Sequence, residues 1–284
     1  MTSLTPREYP LWRTLEAAAA AEAAKSTPRW RPSPLTAVDW RWIRREGAAS
    51  PFDRANLRAG LLEGLADGKA RAYARVCEYG RVIVVTKART DQVPWESWGR
   101  IFRMFGGGGA GKPMQMLWFA AQDRRTWPAR GKPVGPENVN GGYCQVCRPN
   151  TVVVYRAEDA TRVLVHELLH GCCTDSPADP VEIVEAKTEA WAEIILASLR
   201  EAGLAGPVMS HALEQQLAWS AAQNARLVAD HRVRGPTDYA WRYTLGKTAA
   251  LEAMGFAQMG AVKAAAPHAT LRLTPPNGVR EGWF

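Results

Sequence analysis

The pattern of apolar and polar positions predicts strands and helices in the first half of the chain and helices alone in the second half. Strands are predicted where apolar and β-branched residues run together, over residues 81–86, 114–121 and 151–155. Helices are predicted where apolar residues recur every three or four positions, over residues 54–66, 95–105, 160–171, 181–200, 209–230 and 237–254. This order predicts an α+β fold, in which a small mixed sheet packs on the helix at residues 160–171 and the C-terminal half is mainly helical.

Proline, arginine and tryptophan residues are frequent in the first 50 residues and interrupt any long periodic segment there. We therefore predict an arm over residues 1–50, one domain over residues 51–260 and a tail over residues 261–284. The tryptophans of the arm are expected to pack onto the domain: Trp30, Trp40 and Trp42.

The composition is that of an ordinary folded protein, because 46% of the 284 residues are hydrophobic and 23% are charged. This excludes a chain dominated by disorder or by collagen or coiled-coil repeats. Five cysteines are few and odd in number for this length, so the sequence predicts no disulfide framework and a reducing, cytoplasmic location. The N-terminus lacks the apolar core of a signal peptide, and no run of about 18 apolar residues predicts a membrane span.

Lysine and arginine exceed aspartate and glutamate by 36 to 28, which gives a net charge of +8. The excess is uneven, because residues 158–205 contain 3 basic and 10 acidic residues. A basic chain attracts nucleic acid, but these arginines are scattered rather than clustered. An Arg-rich nucleic-acid-associated protein is therefore a less favoured hypothesis, and the acidic segment is the more informative feature.

Residues 166–170 (HELLH) form an H-E-x-x-H motif within an otherwise apolar segment. Residues four apart lie on one face of a helix, so the imidazoles of His166 and His170 can reach a single metal ion. Glu167 points about 100° around the helix and can reach the open position of that metal through a water. Asp159 is predicted to cap the start of this helix.

The helix predicted over residues 181–200 has an acidic stripe along one face: Glu182, Glu185, Glu189 and Glu193. Such a stripe is commonly a solvated face, but apolar neighbours surround this one and indicate a largely buried helix. Unpaired buried carboxylates cost several kcal/mol each, and a divalent cation is one of the few partners that offset this cost. The stripe therefore favours metal binding, with a third ligand supplied by this helix.

From His166 to Glu189 the chain has H-E-x-x-H, then 18 residues, then glutamate, a pattern that resembles the gluzincin group of zincin metallopeptidases. The resemblance implies a zincin-like domain in which His166, His170 and Glu189 bind Zn²⁺ and Glu167 is the general base. Residues 135–199 also resemble uncharacterised HExxH proteins of giant DNA viruses, which implies a viral protein with the virion as an alternative location. The substrate-binding motif that these peptidases usually have upstream of the H-E-x-x-H is not evident.

Together these residues predict metal-assisted hydrolysis of a peptide or protein substrate, with no membrane partner. A zinc site of this kind lowers the pKa of its bound water to about 7, and Glu167 takes the proton and passes it to the leaving nitrogen. Three residues of the C-terminal region are candidates to stabilise the oxyanion: Tyr239, Tyr243 and His231. Tyr243 is the preferred one, and Glu185 is predicted to support a ligating histidine.

Other interpretations stay open at this point. His166 and His170 can be core histidines beside a solvated acidic stripe, although Glu167 is then charged within an apolar helix. A zincin fold can also be catalytically inactive and serve as a structural or virion component. Four cysteines can form a second zinc site: Cys144, Cys147, Cys172 and Cys173. That site is less favoured, because adjacent cysteines chelate awkwardly and ordinary packing explains the second pair.

Overall fold

The structure is a computed structural model that describes residues 10–48, 50–88, 93–106, 114–201, 209–256 and 270–275. Apart from residues 270–275, the predicted tail lies outside the described residues. The strands are β1 (Arg31–Ser33), β2 (Arg71–Cys77), β3 (Gly80–Thr86), β4 (Met114–Phe119), β5 (Gly142–Gln145) and β6 (Arg148–Val154). The helices are α1 (Pro10–Ala23), α2 (Ala37–Gly47), α3 (Leu57–Ala66), α4 (Trp95–Met104), α5 (Pro136–Val139), α6 (Ala160–Gly171), α7 (Val181–Glu201), α8 (Met209–His231), a 3₁₀ helix (Tyr239–Tyr243) and α9 (Leu245–Ala253).

Within the described part of the chain, six strands form one open mixed sheet in the order β1-β2-β3-β4-β6-β5. The central pairs β3–β4 and β4–β6 are parallel, and the outer pairs β1–β2, β2–β3 and β5–β6 are antiparallel. Parallel neighbours require crossover connections, and α4 lies in the one between β3 and β4. The predicted α+β class with a mixed sheet is confirmed.

Both faces of the sheet are covered by helices, which explains why its central strands are nearly continuous apolar runs. On one face, residues of the central strands pack with α2 and α3 in one cluster: Ile43, Leu61, Ile83, Val85, Leu117, Phe119 and Val153. On the opposite face, the ring of Trp98 in α4 packs edge-on against Trp118 in β4, with ring centroids 5.0 Å apart. The Trp98 indole N–H donates to Thr161 Oγ1 at 3.0 Å, so α4 packs beside α6 on this face of the sheet.

Eight of the nine predicted elements lie within three residues of their predicted bounds: α3, α4, α6, α7, α8, β3, β4 and β6. The helix predicted over residues 237–254 is instead a 3₁₀ helix followed by α9. Thr244 separates the two with φ −135° and ψ −86°, which is outside the helical region.

The first 50 residues contain more regular structure than an arm rich in proline suggests. Strand β1 pairs antiparallel with β2 and becomes one edge of the sheet. A capping box starts α2, because the Asp39 N–H donates to Thr36 Oγ1 at 3.2 Å and the Thr36 N–H donates to Asp39 Oδ2 at 2.6 Å. Arg81 of β3 also binds the Asp39 carboxylate, at 2.7 Å, and joins α2 to the sheet.

The tryptophans of this region pack onto the folded chain, as predicted. Trp30 donates its indole N–H to the Trp95 carbonyl oxygen at 2.6 Å, and the two rings have centroids 4.9 Å apart. Trp40 and Trp42 pack against the cluster of α2, α3 and the sheet. A Pro-rich segment is therefore ordered here by aromatic burial and by strand pairing.

The chain forms two compact units, here named the sheet unit and the helical unit. Among the described residues, the sheet unit draws on residues 27–125 and 140–174, and the helical unit draws on residues 10–26, 126–139, 175–256 and 270–275. The sheet unit contains all six strands with α2, α3, α4 and α6, and the remaining helices belong to the helical unit. The predicted division into an arm, one domain and a tail stays a prediction.

The helical unit has its own apolar core, built by α7, α8 and α9: Ala190, Ile194, Ala197, Leu213, Leu217, Leu251 and Phe256. A buried ion pair crosses this core, where Lys247 Nζ lies 2.9 Å from Glu193 Oε2 and the two side chains are 1% and 2% exposed. Each charge of the pair depends on the other, because both are removed from water. Among the described residues, no helix combines the length and the apolar composition that crossing a bilayer requires.

Candidate metal centre

Helix α6 carries the H-E-x-x-H motif, and each of its residues from Ala160 to Gly171 is buried. Apart from the motif, the helix is mainly Val and Leu, which explains its burial against β5 and β6. Polar side chains on such a helix are held among apolar neighbours, where histidine and glutamate need defined partners.

The start of α6 differs from the predicted capping by Asp159. Asp159 has a left-handed backbone (φ 60°) and makes no side-chain capping hydrogen bond. Its carboxylate instead lies 3.2 Å from Nη1 of Arg125, and both side chains are fully buried. A buried guanidinium needs a carboxylate partner. Asp159 therefore pairs with Arg125 and does not cap the helix.

The two motif histidines face each other on one side of α6. His166 Nε2 and His170 Nε2 lie 3.1 Å apart, and the two residues are 6% and 8% exposed. Two nitrogens bound to one tetrahedral zinc at about 2.0–2.1 Å each would lie about 3.3 Å apart. The observed 3.1 Å is close to this value and is also within hydrogen-bond distance of the two rings.

Glu167 is buried beside strand β5, with 6% of its surface exposed. The strand approaches α6 closely at Gly142, where a Cβ atom would lie 2.5 Å from Val163 Cγ1 and 3.3 Å from Glu167 Oε1. Only glycine permits this approach without displacing the helix. The carboxylate of the predicted general base thus lies against an edge strand of the sheet.

The C-terminal end of α6 is held by cysteine residues in a way that the sequence did not predict. Cys147, in the turn between β5 and β6, forms a disulfide with Cys173, which follows the helix. The expectation of no disulfide framework is wrong at this pair, and Cys173 is exposed rather than packed. Sequence spacing cannot reveal such a pairing, because the β5–β6 hairpin brings the two cysteines together from positions 26 residues apart.

The remaining two cysteines near the helix are thiols. Cys144 Sγ donates to the Glu167 carbonyl oxygen at 3.1 Å, and Cys172 is partly buried. Burial raises the pKa of the Cys172 thiol. Among the described residues, no three of these sulfurs form a group that could hold a second metal.

The third potential ligand is a carboxylate of α7. In the described part of the chain, one group of three metal-binding side chains is present, formed by His166, His170 and Glu185. Each offers one ligand atom, and these atoms lie within 4.8 Å of one another. Glu185 is the residue predicted to support a ligating histidine, and that role stays a prediction.

Glu189, the ligand implied by the gluzincin resemblance, is not a member of this group. It follows Glu185 by four residues on the same face of α7, about 6 Å further along the helix axis, and is 2% exposed. Its role as a ligand stays a prediction. The choice between positions one turn apart depends on how α7 is placed along its axis, which residue spacing does not specify.

The outer members of the acidic stripe have cationic partners within the helical unit. Glu182 lies 3.6 Å from Arg242, and Glu193 forms the buried pair with Lys247. The stripe thus combines structural ion pairs at its ends with the carboxylates of Glu185 and Glu189 at its centre.

Tyr243, the preferred candidate for oxyanion stabilisation, lies in the helical unit. Removal from water, the negative charge of Glu185 and the hydroxyl of Tyr239 raise the pKa of Tyr243 well above its ordinary value. The two tyrosine hydroxyl oxygens lie 3.4 Å apart. Tyr243 therefore keeps its proton at neutral pH and is able to donate a hydrogen bond.

His231, the third candidate for that role, has another function in the fold. Its Nδ1 lies 2.8 Å from the Lys132 carbonyl oxygen, and its ring stacks on Trp127 with centroids 5.5 Å apart. Arg226 covers Trp127 at 4.2 Å from the ring centroid. These contacts make His231 part of a structural stack.

No protein-family model, no curated protein and no solved structure matches this chain. Two imidazole nitrogens 3.1 Å apart and an adjacent buried glutamate on one helix define a candidate metal centre.

Proposed function

We propose that this protein is a zinc-dependent metallopeptidase with a zincin-like domain. The observation that carries the proposal is the buried histidine pair of α6, whose Nε2 atoms, in His166 and His170, lie 3.1 Å apart. Two imidazole nitrogens and a carboxylate oxygen are a donor set of catalytic zinc sites, which keep a fourth position for water or substrate. A peptide or protein is the proposed substrate.

The metal and the side chains of the protein have separate roles in the proposed reaction. His166, His170 and a carboxylate of α7 would hold the zinc, which would supply a Lewis acid that polarises a carbonyl and lowers the pKa of a coordinated water to about 7. Glu167, next to the first histidine on a rigid buried helix, accepts the proton of the attacking water. The resulting carboxylic acid donates that proton to the leaving nitrogen as the C–N bond breaks. Tyr243, which stays protonated, donates a hydrogen bond to the oxyanion.

The test is a comparison of wild-type protein with Glu167→Gln. We expect one zinc per chain in both, with hydrolysis of a diverse peptide pool by the wild type alone, because glutamine can neither accept nor return the proton. Glu63→Gln, at an exposed position of α3, is the matched control and should retain both properties. Purified wild-type protein that takes up no zinc would refute the proposal.

The third ligand is assigned by three alanine variants of the acidic stripe. Glu185→Ala or Glu189→Ala should weaken zinc retention strongly, whichever of the two binds the ion. Glu182→Ala should leave zinc retention unchanged, because Glu182 pairs with Arg242. Equal zinc affinity in the Glu185 and Glu189 variants and the wild type would contradict a ligand on α7.

The same measurements separate the competing functions. Zinc binding without hydrolysis by the wild type would favour a catalytically inactive zincin-fold protein with a structural or virion role. Steeply salt-dependent binding to duplex or single-stranded nucleic acid would favour the Arg-rich nucleic-acid-associated protein. A cytoplasmic location, with the virion as the alternative, remains part of the proposal.

A further inference from the structure

The Cys147–Cys173 disulfide joins the β5–β6 hairpin to the end of the H-E-x-x-H helix. Cys147 occupies the two-residue turn of the hairpin, and Cys173 follows α6 by two residues. Both cysteines are exposed, so a reductant in solution can reach the bond. Their Cα atoms are 4.5 Å apart.

The residues of this disulfide contact the turn of α6 that carries the second histidine. The backbone N–H of Cys147 donates to the His170 carbonyl oxygen at 3.0 Å, and that of Cys173 donates to the same oxygen at 3.1 Å. One turn earlier, the Cys144 thiol donates to the Glu167 carbonyl oxygen at 3.1 Å. The hairpin therefore holds the backbone of both the proposed ligand and the proposed base.

We propose that Cys147–Cys173 is a reversible redox modification site that sets the metal affinity of the His166–His170 centre, an inference that rests on the proposed zinc site. The reductant is a dithiol, either a small molecule or a dithiol protein. One of its thiolates attacks a sulfur of the disulfide to form a mixed disulfide and releases the other cysteine, which takes up a proton. The second thiol of the reductant then displaces the remaining cysteine, so the dithiol is oxidised and two cysteine thiols are formed.

Reduction weakens the metal site because it removes the covalent bond between the hairpin and the helix end. The last turn of α6 is then held there by the backbone hydrogen bonds from Cys147 and Cys173, two exposed residues for whose N–H groups water competes. His170 loses part of its fixed orientation. Loss of a group that orients a metal ligand typically lowers affinity about 10-fold to 100-fold. We expect a decrease of about 10-fold on reduction, since the histidine itself is unchanged.

The experiment measures the dissociation constant of Zn²⁺ for the full chain in both redox states. Protein is reduced with a phosphine, desalted without oxygen, and titrated with zinc against a chromogenic chelator, with thiols counted by mass spectrometry after alkylation of a parallel sample. The double variant Cys147→Ser/Cys173→Ser should reproduce the weaker affinity of the reduced protein and should not respond to the phosphine. It also removes the two new thiols as possible zinc ligands.

Cys172→Ser is the matched control, because it removes a neighbouring thiol and leaves the disulfide intact. It should bind zinc as the wild type does and should remain sensitive to reduction. Circular dichroism of each variant shows whether it is folded, and the wild-type redox pair serves as the second measurement if the double variant is not. Equal zinc affinity of the oxidised and reduced wild type overturns the redox inference and leaves the proposed function standing. Absence of zinc binding in both states overturns the proposed function itself.

Discussion

Gly142 has no Cβ atom, and this absence allows β5 to approach α6 closely. A Cβ atom there would lie 2.5 Å from Val163 Cγ1 and 2.8 Å from the Val153 carbonyl oxygen, and neither atom is at the end of a flexible side chain. Gly142→Ala should lower the free energy of unfolding by about 1–3 kcal/mol, as overpacking does, and should displace Glu167. Urea denaturation monitored by circular dichroism measures the loss.

Gly60→Ala is the control for that substitution. Gly60 lies in α3, and a methyl group added there would meet no heavy atom within 4 Å and no positive φ. Alanine there should raise the free energy of unfolding by about 0.5–1 kcal/mol, because it favours the helix. Equal effects of the two substitutions would contradict the close approach at Gly142.

Residue-scale prediction from the sequence succeeded where the information is local. The pairing of His166 with His170 follows from a four-residue helical spacing, and the structure places their Nε2 atoms 3.1 Å apart. The disulfide of Cys147 and the partner of Asp159 were not predictable, because each depends on residues brought together by the sheet.

At the scale of elements, the start of α2 depends on one carboxylate. Desolvation raises the pKa of Asp39, but hydrogen bonds from Arg81 and from Thr36, with the charge of Arg81, outweigh it and leave the pKa below its ordinary value. A depressed pKa in the folded state contributes stability above the unfolded pKa, and that stability is lost as the pH falls through the folded value.

Asp39→Asn should therefore lower the free energy of unfolding at pH 7 by about 1–3 kcal/mol, and the difference from the wild type should shrink as the pH falls below about 4. Urea denaturation at a series of pH values measures it. Asp67→Asn, at an exposed residue paired with exposed Lys69, is the control and should change stability little at any pH. A constant difference between wild type and Asp39→Asn across this range would contradict the assignment.

The buried ion pair of Lys247 and Glu193 joins α9 to α7 and can be tested by substitution. Lys247→Met should lower the free energy of unfolding by about 3–5 kcal/mol, because it leaves a carboxylate in the core without its ammonium partner. Thermal and urea unfolding measure the change. Replacing both residues, Lys247→Met with Glu193→Leu, should recover part of the loss.

The same substitution at an exposed pair is the control. Lys187 of α7 lies 2.6 Å from Asp179, but its side chain is 50% exposed. Lys187→Met should change the free energy of unfolding by less than about 1 kcal/mol. A similar loss at both positions would show that burial does not determine the strength of the Lys247 pair.

Most long elements with strong periodicity were predicted from the sequence, but α2, β2 and the short edge strands were not. Helix α6 has its predicted bounds, because an apolar segment with regular spacing leaves little choice. Strands β1 and β5 have 3 and 4 residues, and their sequences RPS and GYCQ have no strand-like alternation. They are strands because β2 and β6 supply hydrogen-bonding partners.

For the whole molecule, zinc should act as a stabilising ligand. A metal that binds the folded chain at about 1,000 times its dissociation constant adds about 4 kcal/mol to the free energy of unfolding, so the melting temperature should rise by several degrees. Differential scanning calorimetry with zinc and with a chelator measures the shift. His166→Ala should melt at one temperature under both conditions, and an equal shift in that variant would place the zinc elsewhere.

The segments of the two units alternate along the chain, and this order limits how genetic recombination can alter the protein. Neither the sheet unit nor the helical unit is one continuous stretch, because residues 126–139 return to the helical unit between two segments of the sheet unit. A single genetic crossover therefore cannot duplicate, delete or exchange either unit whole. In such an event the two units are therefore kept or lost together.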